Sequence, residues 1–252
     1  MKIALAFSGG GIRALAHLGV VDVLRKNGFE IAAISGSSGG ALVGSLLADG
    51  KSSDEIRSIF NDVKRTDLMR GISSKGGMFS LKRLEEILEM TLTYKQIETL
   101  PIPLIIAATD FAEGEIRYFE KGPISTLCAA SSSLTPFFAP VPYEDMLLAD
   151  GGLMDNLPTK PLKKYGYPII GINVNPIIHE ESGNVFKMTF RALVLMMASN
   201  IEASRYFADY YIEVEECEGI NIFDFSQSDA SYEAGVTRTK KILADLKEKL
   251  NS

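Results

Sequence analysis

Ile31-Ala32-Ala33-Ile34-Ser35-Gly36-Ser37-Ser38-Gly39-Gly40-Ala41 is the stretch that decides the fold. An apolar run leads into a G-x-S-x-G turn centred on Ser38, and a helix-like segment begins near Ala41. A sharp strand-to-helix turn needs small residues on both sides of its centre, because crowding there stops the backbone from folding back. Gly36 and Gly40 supply that room, and the turn lifts the Ser38 hydroxyl above the sheet. The following helix points its N-terminal amides at the same spot, so an anion forming beside Ser38 meets donors and a favourable dipole. Ser38 is therefore the candidate nucleophile. Short glycine-serine patterns also arise in plain loops, so the reading needs support from elsewhere in the chain.

Upstream, Lys2 to Phe7 is a short apolar segment ending in Ser8 and three glycines, and Ala16, Gly19, Val20, Val23 and Leu24 then recur at helical spacing. Asn27-Gly28 stops this helix and residues 30–35 form the next strand, giving a βαβ unit with parallel strands. Downstream, helices are predicted over 39–48, 54–64 and about 81–90. The glycine- and serine-rich residues 65–80 read as a surface connection and a candidate lid. Further strands are predicted over 103–109, 115–119, 146–149 and 168–174, then a long helix from 184 to about 210. Leu243, Leu246 and Leu250 mark the inner face of a C-terminal helix. This alternation predicts an α/β fold, a three-layer sandwich with a central, mainly parallel sheet flanked by helices.

The chain has 252 residues, 46% hydrophobic and 23% charged, which suits a soluble globular protein with one domain over 1–252. Its net charge of −6 predicts no nucleic-acid partner and no polybasic attraction to anionic membranes. Residues 31–48 are uncharged and approach the length of a membrane span. Eight of those 18 residues are Gly or Ser, however, so the segment divides into strand, elbow and buried helix. Only Ile3 to Phe7 precede the first glycines, too short an apolar core for a signal peptide, so a cytoplasmic location is expected, with peripheral contact at a membrane left open. Cys128 and Cys217 make neither a disulfide framework nor a metal-ligand spacing, and no metal is expected.

Two other glycine-rich strand ends accompany Ser38. Gly9-Gly10-Gly11-Ile12-Arg13-Ala14 sits at the first strand-to-helix junction, where uncrowded amides can converge on an anion. The same run loosely matches a dinucleotide fingerprint, which also wants an acidic residue closing the second strand. Here that strand closes on Ser35-Gly36, and Glu30 stands at its other end. A nucleotide-binding protein without ester chemistry is thus one alternative. Asp150-Gly151-Gly152 follows the apolar Met146 to Ala149, and a carboxylate there can lie close to another strand-end residue such as Ser38, although a plain Asp-Gly turn reads the same way. Ser38, Asp150 and His179 also stand in the order of a Ser-Asp-His triad. For His179 and for His17 on the first helix, surface or packing roles are the stronger reading.

The three glycine-rich runs, with Ala130-Ser131-Ser132, Pro136-Phe137-Phe138-Ala139-Pro140 and Asp150 to Pro158, resemble the patatin-like phospholipases, bacterial lipid acyl hydrolases related to plant patatin. The resemblance covers most of residues 1 to about 175; one departure is Ala14, where the family usually has Gly. It implies a dyad of Ser38 as nucleophile and Asp150 as the group that takes its proton directly. It also implies an acyl-enzyme and an oxyanion hole from the amides of Gly10 and Gly11, joined by Gly39. No cofactor is implied, and the substrate is a lipid or other acyl ester: phospholipid, lysophospholipid or relative. Acyl transfer to an acceptor other than water is a neighbouring possibility on the same acyl-enzyme.

Gly9, Gly36, Gly40, Gly151 and Gly152 shape the three turns in this reading. Arg13 either steadies the glycine loop or attracts an anionic head group. Asn156 ties down the Asp150 loop, and Asp155 is expected to be solvated. Met188, Phe190, Leu193, Leu195, Met196 and Met197 either line an acyl channel or, the stronger reading, pack in the core. Phe137 and Phe138 are the preferred acyl contacts.

Overall fold

The computed structural model describes residues 1–62, 81–177 and 183–251. The candidate lid over 65–80, the end of the helix expected over 54–64, and His179 lie outside these residues.

Strand β1 (Lys2–Phe7) alternates large and small side chains, and the two sets go to opposite faces. Ile3, Leu5 and Phe7 enter the larger core, whereas Ala4 and Ala6 face a thinner one with Ala33, Ile105, Leu157, Leu162 and Ile201. The larger core lies under helices α1 (Ala16–Lys26), α2 (Gly39–Ala48), α3 (Ser53–Asp62), α4 (Lys82–Thr91) and α5 (Ile124–Ser131), with the long C-terminal helix, Ser228–Asn251, packed on α1. The small residues on the other face let the chain around Leu157 and Leu162 pack close to the sheet. These three layers are the predicted α/β sandwich.

Strands β2 (Glu30–Ser37), β3 (Leu104–Asp110), β4 (Glu115–Phe119), β5 (Val141–Tyr143), β6 (Met146–Asp150), β7 (Ile169–Asn173) and β8 (Tyr210–Glu213) complete one sheet with β1. Neighbours in the order β8-β7-β1-β2-β3 are parallel, whereas β4 and β6 pair antiparallel with β3, and β5 pairs antiparallel with β6. The sheet is thus mixed. Its parallel part is what the βαβ pattern predicts, and the antiparallel edge is the part that the sequence reading did not separate.

One consequence of this pairing sets the site. Ile106 to Asp110 of β3 pair with β4 along one edge. On the other edge β3 pairs first with β2, up to Ser37 opposite Ala107, and then with β6, from Asp150 opposite Ala108. Strands β2 and β6 therefore meet end to end on a single edge of β3. Phe7 of β1 lies opposite Gly36 of β2 and Ile172 of β7, so the turns that leave these three parallel strands emerge side by side.

The uncharged segment 31–48 divides as expected: β2, then Ser38, then α2, whose residues are all buried. No helix among the described residues is long and apolar enough to cross a membrane. Helix α6 (Val185–Arg205) ends sooner than predicted, and Tyr210 to Glu213 form β8 at the sheet edge.

Candidate active site

Ser38 stands between β2 and α2 with φ 50° and ψ −125°, a strained backbone conformation for a residue with a side chain. The turn exists because nothing projects from its flanks: a Cβ on Gly36 would sit 2.6 Å from the Ala41 nitrogen and the Gly40 oxygen. Ser131 at the end of α5 holds the turn from outside. Its hydroxyl accepts the Ser38 amide at 2.8 Å and donates to the Ala107 carbonyl at 2.6 Å. Of residues 36–40, Ser38 alone is not fully buried, so the elbow offers its hydroxyl side to the outside.

Asp150 closes β6 from the opposite direction. Its amide donates to the Ser133 carbonyl at 3.0 Å, and its carbonyl accepts the Thr109 hydroxyl at 2.8 Å. Its carboxylate accepts the Gly152 amide at 2.8 Å, and the Ser38 side chain favours its charged form. The residue is 1% exposed. Burial pushes its carboxyl up to about 7, against the Gly152 hydrogen bond and the Ser38 side chain, which favour the charged form. A base with that affinity is half-loaded near neutral pH, where general-base catalysis works best.

The glycine loop lies against the Ser38 turn. The position of a Cβ on Gly9 is 2.9 Å from the Ser38 Cβ, and that of one on Gly39 is 3.3 Å from the Gly11 nitrogen. The loop is clamped on all sides. Gly9 donates to Asn156 Oδ1 at 3.1 Å, its carbonyl accepts Asn175 Nδ2 at 2.6 Å, and Ile12 donates to the Ile222 carbonyl at 3.0 Å. Among the described residues the amides of Gly10 and Gly11 have no acceptor, and Gly39 opens α2, so its amide has none within the helix. Of the three expected oxyanion donors, Gly39 and Gly11 lie against each other at the turn that carries Ser38.

The supporting residues divide. Gly40 packs on the Phe7 and Ser8 carbonyls, Gly151 on the Ala107 carbonyl, and Gly152 on Met197. Asn156 reaches the glycine loop, where its Oδ1 accepts the Gly9 amide, and Asn200 accepts the Asn156 amide at 2.9 Å. Arg13 donates to the Ile220 carbonyl at 2.7 Å, which favours the loop-steadying alternative over an anionic subsite. Asp155 is corrected: it is buried and accepts Tyr118, Ser204 and the Leu157 amide, and burial raises its carboxyl. Phe137 is buried and stacks edge-on against Phe190, which contacts Phe223 in turn. The core reading of the methionine-rich helix is also corrected, because Met188, Leu195 and Met196 are exposed.

Sequence reasoning missed Ser131, Asn175, Asn200 and Ser204 as tethers. Asn200 and Ser204 carried a signal, two polar residues at i, i+4, which places both on one face. Asn200 donates to the Gly152 carbonyl at 2.8 Å and Ser204 to Asp155 at 2.7 Å.

His17 has the packing role. It is fully buried, stacks on Phe7 at 4.5 Å, and its Nε2 donates to the Ser8 carbonyl at 2.9 Å, while Nδ1 has no partner among the described residues. Burial pushes its pKa down to about 4. Below its unfolded value the unfolded chain gains a proton that the folded chain refuses, so this site lowers stability as pH falls from 6.5 to 4. We expect the stability advantage of wild type over His17→Gln to shrink by about 3 kcal/mol across that window, read from urea midpoints.

Residues 5–163 match the model of the family described as Patatin-like phospholipase. An uncharacterized NTE family protein of Mycobacterium bovis is 35% identical over 164 residues, covering 64% of this chain and 45% of that protein. Patatin-like phospholipase domain-containing protein 7 of Rattus norvegicus is 31% identical over 179 residues, covering 67% of this chain and 13% of the rat protein. The chain therefore spans less than half the length of these relatives. In fold it is similar to VipD of Legionella pneumophila, with a TM-score of 0.59 at 14% identity over 97% of this chain and 66% of that one. With its family model matched over more than half of its length, the chain belongs to the patatin-like phospholipases.

Proposed function

We propose that the chain is a serine acyl hydrolase that cleaves carboxylic ester bonds of phospholipids, lysophospholipids or related lipids through Ser38 and Asp150. The observation that carries this reading is the end-to-end meeting of β2 and β6 on one edge of β3, which brings the Ser38 turn to a buried carboxylate, Asp150, that burial pushes up to about 7. Asp150 takes the Ser38 proton as the oxygen attacks the ester carbonyl, and the amides of Gly10, Gly11 and Gly39 receive the oxyanion. Asp150 then gives the proton to the departing alcohol, leaving an acyl-enzyme. Water enters, loses a proton to Asp150 and attacks the acyl carbon; as the bond to Ser38 breaks, Asp150 gives that proton to the Ser38 oxygen and the fatty acid leaves. The N-terminus of α2 adds its dipole to the oxyanion site, and one such donor is worth about 3 kcal/mol of barrier.

The clamped glycine loop favours this over nucleotide binding. The Gly9 amide is already held by Asn156. A Cβ on Gly11 would meet the Ile222 carbonyl at 2.3 Å, so that side of the loop is occupied by chain. The test is a fluorophosphonate probe together with hydrolysis of a lipid extract, released fatty acids and lysolipids being identified by mass spectrometry. Labelling at Ser38 that disappears in Ser38→Ala is expected. No labelling combined with measurable nucleotide affinity would overturn the reading.

A further inference from the structure

Helix α6 has two apolar faces, and only one of them is covered. Its inward face carries Met197, whose Cε lies 2.6 Å from the Cβ position of Gly152, and the anchors Asn200 and Ser204. On the other side Val185, Met188, Ala192, Leu195 and Met196 recur at i, i+3, i+7, i+10 and i+11 and form one exposed stripe. Val185 is 74% and Met196 64% exposed. From Val185 to Met196 the stripe is about 17 Å long at the α-helical rise, and no charged residue interrupts it. On a surface helix an apolar stripe ordinarily faces the core, and this one faces outward.

We propose that this stripe lies in a lipid–water interface, holding the protein at the surface that supplies its substrate; the proposal rests on the lipid hydrolase reading. Three observations favour lipid over a protein partner. The stripe is made of aliphatic residues and methionines, which adapt to a fluid phase, and lacks the aromatic anchors that enrich protein interfaces. Lys187 and Arg191, one turn apart, lie to one side of it, and residues 183–201 contain no acid, in a chain whose net charge is −6. Basic residues beside an apolar stripe suit a helix lying in a membrane surface. Finally, the inward face of the same helix holds the Asp150 loop, so a lipid at the interface is about one helix diameter from that loop.

Vesicle co-sedimentation of the full chain tests this, using phosphatidylcholine alone and mixed with phosphatidylglycerol. Wild type should bind both, the mixed vesicles more tightly. Val185→Glu/Ala192→Glu places two carboxylates in the stripe at exposed positions of a helix that tolerates Glu, and is expected to bind mixed vesicles about tenfold more weakly. Hydrolysis of a soluble short-chain ester and probe labelling of Ser38 should stay within about twofold, because neither residue touches the inward face. Failure of wild type to bind, or equal binding by the variant, overturns the proposal. A wild-type dimer that the variant splits, with vesicle binding unchanged, assigns the stripe to a second copy and also overturns it. Loss of labelling in wild type would instead sink the hydrolase reading, leaving the vesicle result to be judged separately.

Discussion

Ser38→Ala is expected to lower ester hydrolysis by about 10⁴-fold or more, and Asp150→Asn by a similar order, with the double variant scarcely worse than either. The non-additivity is the informative part. A serine without a base to take its proton and a base without a nucleophile to serve are equally idle, so removing the second group after the first has little left to remove. Residual turnover would come from the amides of Gly10, Gly11 and Gly39, which survive both changes. The measurement is kcat/KM on a soluble ester for wild type, both single variants and the double. Two losses that multiply in the double variant would show that Asp150 acts apart from Ser38 and would end the dyad.

The second large effect concerns stability, and its sign is opposite to that of activity. Burial raises Asp150 to about 7, so between pH 3.8 and 7 the folded chain keeps a proton that the unfolded chain has released. Stability contributed by this site is therefore greatest in acid, falls as pH rises through that window, and is lowest above pH 7, where a buried charge must be carried. Asp150→Asn carries no charge and retains a carbonyl oxygen for the Gly152 amide. We expect it to be more stable than wild type by about 2–4 kcal/mol at pH 8, a gain that shrinks towards zero at pH 4. His17 opposes this slope over much of the same range, which flattens the wild-type profile. In Asp150→Asn the His17 slope stands uncovered, so that variant should weaken visibly on acidification from pH 6.5 to 4. Urea denaturation at pH 4, 6 and 8 measures both effects, and a variant that gains nothing at pH 8 would refute the cost assigned to the buried carboxylate.

The parts of the site legible in the sequence are those set by local backbone demands. Gly36 and Gly40 had to flank Ser38 for β2 to turn into α2, and Gly9 to Gly11 had to be small for the loop to press on that turn. Asp150 was legible as a strand end before two glycines. What could not be read depends on segments that arrive from far along the chain. Asp155 looks like an exposed loop acid, because the helix that buries it begins 30 residues later. The direction of β6 follows from the path of residues 111–145, which no periodicity records, and α5 within that stretch went unseen. Strand β8 was merged into the preceding helix because Tyr210-Tyr211-Ile212 continue its apolar character with no glycine or proline to mark the break.

The end-to-end meeting of β2 and β6 on β3 bears on how such a site can diversify. Spacing between Ser38 and Asp150 is measured off by Ala107 and Ala108, consecutive rungs of one ladder, and not by the length of chain that separates them. The excursion over 111–145 leaves β3 and is returned to it in register, so its exposed tip at Phe111 to Gly114 can grow or be exchanged without recalibrating the chemistry. One residue inserted between Ala107 and Ala108 would do the reverse, shifting the base by about 3.4 Å and turning it to the other face of the sheet. New substrate-shaping segments can thus enter beside the dyad, while the two alanines that keep its gauge have almost no freedom to change in number.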